Sequence, residues 1–300
     1  MMAVPRSRKA YKTDLTDGQW AVVEPLVTKV APANRAGRRV EVCLREVVNA
    51  IFYLNRTGCQ WELLPHDLLP KSTVYDYFAK WRDDGTFDEI VTALRTQIRQ
   101  GNGREESSSA VCIDTQSVKT TEVGGTERGY DGGKKIKGRK RHLLVDVLGL
   151  LIAVVVTCAN ADDGTAAPLL LEKVTVEDQP RLQVIFGDNK YRNHSLNSWM
   201  KAQRPDWKIE VESPPPGTKG FSPVRKRWVV ERSNAWHGRC RRNSKDYERR
   251  PDSAEAMIKL SHIGIMLRRC SPPPKHPDFR YSNNNAGLQN VSESNDQISG

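Results

Sequence analysis

No two of the six cysteines form a CxxC pair; Cys43, Cys59, Cys112, Cys158, Cys240 and Cys270 stand far apart in a chain of 300 residues. They read as reduced core residues rather than a disulfide framework. No apolar run is long enough for a bilayer, since the longest, Val147 to Ala159, is short and contains Gly149. The opening MMAVPRSRKAYK carries basic residues with no apolar segment behind them, unlike a secretory signal. A His/Cys zinc cluster, a GxxxxGK[ST] loop and a nucleophile elbow are all missing from the sequence. These absences exclude small disulfide scaffolds, membrane spans and several common enzyme classes. A cytoplasmic protein with no membrane partner is expected.

What the chain has is positive charge and length. Forty-seven Lys and Arg against 36 Asp and Glu leave a net charge of +11, concentrated in patches. Patches of one sign point to a polyanionic partner. The length suffices for two domains and a substantial core.

The first hundred residues read as helices. DLTDGQWAVVEPLV spaces Trp20, Val23 and Leu26 at helical intervals, with Asp14 and Thr16 as caps. VEVCLREVVNAIFYLNRTG places Val40, Leu44, Val47, Ile51 and Leu54 on one stripe ending before Gly58. Ser72 is expected to cap a third helix with Val74, Tyr77, Phe78 and Trp81 on one side, and TFDEIVTALRTQIRQ forms a fourth near Gly101. A helix-turn-helix that enters a DNA groove and a bundle that only packs on its neighbour both fit this pattern. Residues 101–109, GNGREESSS, read as a linker between a helical domain (1–100) and a second domain (110–270).

From Ala110 the period changes. AVCIDTQSV is a β-type run with one interior charge, Asp114, and a carboxylate inside a strand needs a reason. A glycine-rich and then basic segment follows, with Lys134, Lys135, Lys137, Arg139, Lys140 and Arg141 expected to form a flexible cationic loop for a phosphate backbone. HLLVDVLG and LLIAVVVTCAN are two strands joined at Leu148–Gly149, followed by a helix over 163–174. RLQVIFGDNKY ends a strand directly in Asp188, at the carboxyl end where α/β sheets hold functional groups. HSLNSWMKAQ and WKIEVES add a helix and a strand before the proline-rich Pro214, Pro215 and Pro216. The order matches an α/β, ribonuclease-H-like domain, a mixed sheet flanked by helices, behind an all-α N-terminal domain that is DNA-binding on the helix-turn-helix reading.

In that arrangement Asp114 and Asp188 lie on adjacent strands, and Glu231 comes from a helix packed across them. Three carboxylates supply the hard oxygen ligands that divalent ions take when they stabilise both oxygens of a phosphodiester displacement. Each also has a plain structural reading: Asp114 in a turn, Asp188 capping a helix, Glu231 paired with Arg227 one turn before it. Asp146, beside a hairpin turn, and the Asp162–Asp163 pair, at a helix start, compete for the metal but are read as structural or as outer partners of the site. Around Glu231 the residues Arg227, Arg232, Arg239, Arg241 and Arg242 form a surface able to hold phosphates bidentately. Trp228 and Trp236 share a helix face and are expected in core packing rather than stacked on a base. His142 and His237 are candidate phosphate or proton-handling groups, or ordinary core residues.

These pieces, DLTDGQWAVVEPL, REVVNAIFYLNRTGCQWELLP, STVYDYFAKWRDDG, CIDTQSVK, KKIKGRKRHLLVDVLGL, FGDNKYRN and RWVVERSNAWHGRCRRNSKDYE, resemble the DDE transposases of bacterial insertion sequences over nearly all of residues 10–270. The resemblance implies that Asp114, Asp188 and Glu231 bind two magnesium (or manganese) ions. Water then cuts double-stranded DNA at the transposon ends, and the freed 3′-hydroxyl joins target DNA with no covalent enzyme intermediate. A homodimer on DNA, associated with the bacterial nucleoid, is implied as well. This chain departs where the family has a tyrosine before the arginine, here Val224, and a basic residue after the glutamate, here Gly238, with Arg239 one further on. Other readings are a ribonuclease-H-like nuclease without strand transfer, or a non-catalytic DNA-binding remnant acting as a repressor. Residues 271–300 are too polar to pack and are expected to be disordered.

Overall fold

A computed structural model describes residues 8–28, 42–122, 124–125, 127–211 and 228–272. Arg227, Val224, the three prolines and the tail from residue 273 lie outside the described residues.

Among the described residues four α-helices come first: α1 (Asp17–Thr28), α2 (Leu44–Thr57), α3 (Lys71–Asp83) and α4 (Thr86–Gly101). α2 stops where Gly58 takes a left-handed φ of 74° and returns its N–H to Leu54 O at 2.9 Å. A side chain at Gly58 would also run into the backbone of Arg241, so the glycine lets the end of α2 lie against a later segment. α3 begins two residues earlier than a cap at Ser72 would place it. Pro70 occupies the cap position, and Ser72 falls in the first turn without a capping bond.

The sheet has six strands: β1 (Ala110–Lys119), β2 (Gly129–Asp131), β3 (Ile136–Asp146), β4 (Leu151–Cys158), β5 (Val184–Gly187) and β6 (Lys208–Val211). β1 runs antiparallel to β3 on one side and parallel to β5 on the other; β6 continues the parallel side. β2 and β4 both pair antiparallel with β3, over different stretches of it. The result is a mixed α/β sheet with β1 at its centre.

Strand alternation divides the core into two clusters. Val111, Ile113 and Ile185 pack with α5 (Asp163–Leu171) and α6 (His194–Gln203) on one face. Cys112, Leu143, Val145 and Phe186 pack with α7 (Trp228–His237) and α8 (Pro251–Cys270) on the other. α1 to α4 belong to this second cluster, so a continuous apolar core joins them to the sheet through α8. Residues 104–109, read as linker, are pinned: Arg99 donates to Glu105 O at 2.8 Å and Ser107 O at 3.2 Å, and buried Ser108 donates its N–H to Gln179 Oε1. Among the described residues no helix is long and apolar enough to cross a membrane.

Candidate active site

β1 and β5 are paired in parallel up to Cys112 and Phe186, and Asp114 and Asp188 each stand two residues further along. Alternation gives Asp114 the face of Cys112, under α7. Asp188 keeps an extended backbone (φ −87°, ψ −178°), which carries the alternation one step past β5 to the side of Phe186. Both carboxylates are half-buried. Asp188 also accepts the N–H of Lys190 at 3.0 Å and caps a 3₁₀ turn, Asn189–Tyr191. The capping role and the site role are therefore compatible. Before it, Gly187 has Tyr191 folded so close that a Cβ would lie 2.7 Å from the ring and 3.1 Å from Ile113. A side chain there would have to displace Tyr191 or Ile113.

α7 brings in the third acid. Val229 and Val230 are buried beneath it, and Ser233 Oγ donates to Gly149 O at 3.0 Å. Asn234 reaches the strand, its Nδ2 donating to Asp114 Oδ2 at 3.1 Å. Glu231, half-buried, lies one helical turn before Asn234, hence on the same strip of the helix. Glu231 is thus carried above the strand bearing Asp114. Among the described residues no group of three or more His, Cys, Asp or Glu is gathered as a metal cage. The donor chemistry nonetheless suits magnesium or manganese, with three carboxylates and a neighbouring amide oxygen, and neither thiolate nor imidazole among them.

The supporting acids are structural. Asp146 is fully buried, pairs with Arg99 at 2.6 Å and accepts the N–H groups of Leu148 and Leu150 in the β3–β4 turn. Asp162 caps α5 through Thr165 N at 2.9 Å. Asp163 turns inward instead and holds Lys140 at 2.6 Å, Lys190 at 2.8 Å and Thr115 at 3.0 Å. Burial by itself would raise its pKa, but the two ammonium groups bring it down to about 2. Lys190 is thereby fixed beside Asp188, a support the sequence did not reveal because Asp163 lies on a separate helix.

The cationic expectations divide. Lys134, Lys135 and Lys137 are exposed at the turn into β3, and Arg239 and Arg241 are exposed after α7. Arg139, Lys140 and Arg141 are not in a flexible loop; they are buried in β3. Arg139 donates to both Asp246 oxygens at 3.3 Å and to three backbone carbonyls, of Glu127, Glu248 and Arg249. Arg141 donates to Asn243 O and Lys245 O, and burial pushes its pKa down to about 10. Arg242 is likewise buried, bonded to Glu248 at 2.6 Å and Cys59 O at 3.0 Å. Arg232 is held between Trp228 and Trp236, 4.3 and 4.8 Å from their centroids, and donates to Leu148 O. The two tryptophans therefore form a cation–π ladder with Arg232 rather than an apolar core, and Trp228 stays 42% exposed. An open cavity of about 900 Å³ borders the ladder, but Asp114, Asp188 and Glu231 do not line it.

The histidines are buried as well. His142 Nε2 meets Thr157 Oγ1 at 2.9 Å, and His237 and His262 share an Nε2···Nε2 hydrogen bond of 2.8 Å between α7 and α8. Burial lowers the pKa of His142 to about 4 and of His262 to about 3, and puts that of His237 well below the usual range. A phosphate-handling role does not suit groups so enclosed.

The chain belongs to the family described as "Transposase DDE domain", which matches residues 105–265. Residues 15–91 match "Putative transposase of IS4/5 family". A Burkholderia cepacia protein named "Putative transposase for insertion sequence element IS402" is 31% identical over 130 residues, covering 41% of this chain and 60% of that relative.

Proposed function

We propose that the chain is a transposase that binds the terminal inverted repeats of its element, hydrolyses the phosphodiesters at the ends and joins the 3′-hydroxyl to target DNA. The observation that carries this reading is the alignment of Asp114 and Asp188 two residues beyond a parallel β1–β5 pair, with α7 tied to Asp114 through Asn234. Three long antiparallel strands, β1, β3 and β4, with the short β2 beside β3, followed by two parallel ones and with helices on both faces, also support a ribonuclease-H-like core.

Asp114, Asp188 and Glu231 would hold two divalent ions. Bound magnesium or manganese supplies the positive charge that stabilises the attacking and leaving oxygens. The chain's own part is to orient the carboxylates: the Asn234 amide fixes one oxygen of Asp114, the cap to Lys190 N fixes Asp188, and burial of Val229 and Val230 sets the roll of α7. Lys134, Lys135, Lys137, Arg239 and Arg241 are the exposed cations that would take DNA phosphates. Arg227 joins them on the strength of the resemblance. The outer face of α3, with Lys71, Ser72 and Tyr75 exposed, is the surface of the helical N-terminal domain offered to the repeats. Such a protein works at the nucleoid, as a homodimer that pairs two ends.

The test is a strand-transfer assay on a pre-cut end bearing a free 3′-hydroxyl. Joined product is expected with magnesium. Cleavage without joining would move the reading to a nuclease, and DNA binding without either would move it to a repressor.

A further inference from the structure

Asn234 follows Glu231 by one helical turn and faces the same strand. An ionised carboxylate only accepts hydrogen bonds, so the NH₂ end of the amide must be the end turned to Asp114, and the carbonyl oxygen is directed away from that bond. That oxygen, Oδ1, is buried in a residue only 8% exposed and has no hydrogen-bond donor among the described residues. A buried carbonyl oxygen left without a partner costs about 1–3 kcal/mol. Leucine, of nearly the same size, would remove that cost but also the Nδ2 bond to Asp114. Asparagine thus has one end of its amide satisfied here, and the other gains only if its oxygen meets a positive charge.

The neighbourhood is suited to one. Asp114 is bonded to the same amide, and Glu231 lies on the same strip of α7. A fourth carboxylate would add repulsion among like charges, whereas a neutral amide oxygen adds a hard donor without it. We propose that Asn234 is a positioning residue of the carboxylate site, holding Asp114 by one oxygen through Nδ2 while Oδ1 presents a neutral hard oxygen on the same side of the helix. This rests on the reading of Asp114, Asp188 and Glu231 as metal-binding carboxylates.

The experiment titrates manganese alone into the full-length protein, followed by the electron paramagnetic resonance signal of free Mn²⁺, for wild type, N234L and D114N. N234L is expected to weaken Mn²⁺ binding 10–100-fold, as loss of an outer-shell partner does. Its thermal midpoint without metal should stay close to that of the wild type, since the lost bond to Asp114 and the relieved oxygen offset one another, and its DNA affinity in chelator should be unchanged. A merely structural asparagine would move the midpoint and leave Mn²⁺ affinity alone. Wild-type affinity in N234L alongside weakened binding in D114N overturns the role of Asn234 and leaves the carboxylate site standing. Wild-type affinity in D114N overturns the site itself, and this inference with it. Should N234L fail to fold, N234S carries the same expectation; failure of both to fold assigns Asn234 to structure and also overturns the proposal.

Discussion

Replacing Arg139 by methionine should cost stability, not DNA binding. The guanidinium is wholly buried and has the equally buried Asp246 carboxylate as its counter-charge. Removing one member of such a pair leaves an uncompensated buried charge, at about 3–5 kcal/mol. The carbonyls of Glu127, Glu248 and Arg249 lose their donor in the same step, so the upper part of that range is expected. For domains of this size each kcal/mol moves the midpoint by about 2–4 °C, so a loss of about 4–5 kcal/mol gives a fall of roughly 8–20 °C. The assay is thermal unfolding of the full-length protein by circular dichroism, with DNA binding by fluorescence anisotropy measured below both midpoints. R139M/D246N, which removes both charges, should regain much of the loss. Lys135, exposed at the turn before β3, is the contrasting case. K135A should keep its stability within about 0.5 kcal/mol, weaken DNA binding and reduce the salt slope by about 1. The reasoning is refuted if R139M melts with the wild type and binds DNA more weakly.

Acid should unfold the protein earlier than its carboxylates alone demand. His142, His237 and His262 are buried neutral, with pKa values depressed from the usual 6.5, so the unfolded chain binds more protons than the folded one below that pH. Their contribution is intact above about pH 6.5 and falls as pH drops towards 4 and 3, by up to about 1.4 kcal/mol per pH unit for each group. Urea midpoints between pH 7.5 and 5 measure it, and a flat profile contradicts the burial. Gly187→Ala should push Tyr191 and Ile113 apart, cost about 1–3 kcal/mol and shift Asp188. Cleavage should then fall more than DNA affinity does; equal falls in both would assign the loss to general unfolding.

The parts legible in the sequence were those whose signal is local. β1, β4 and β5 declare themselves as apolar runs, α2 by its stripe and its glycine stop, and Asp114 and Asp188 by being charges in or at the end of such runs. Partners distant in the chain were not legible. The run from Lys134 to Arg141 has one composition but two fates, because Asp246, Glu248 and Asp163, which hold its second half inside, come from elsewhere in the sequence. Helix α8 is buried nearly all round, with Ser253, Glu255, Ser261 and His262 among its enclosed residues, so no clean stripe marks it. Pro251 at its start was the available cue. Asn234 could have been singled out from its one-turn spacing after Glu231, but the spacing gains meaning only once Asp114 is found across from it.

The central claim is that Asp114, Asp188 and Glu231 make one metal site. Counting Mn²⁺ bound by D114N, D188N and E231Q, beside the wild type and in the presence of an end-sequence duplex, tests it most directly. Two ions are expected on the wild type, with a loss of affinity or stoichiometry in every variant while DNA remains bound. Wild-type binding of Mn²⁺ in any of the three would contradict the account.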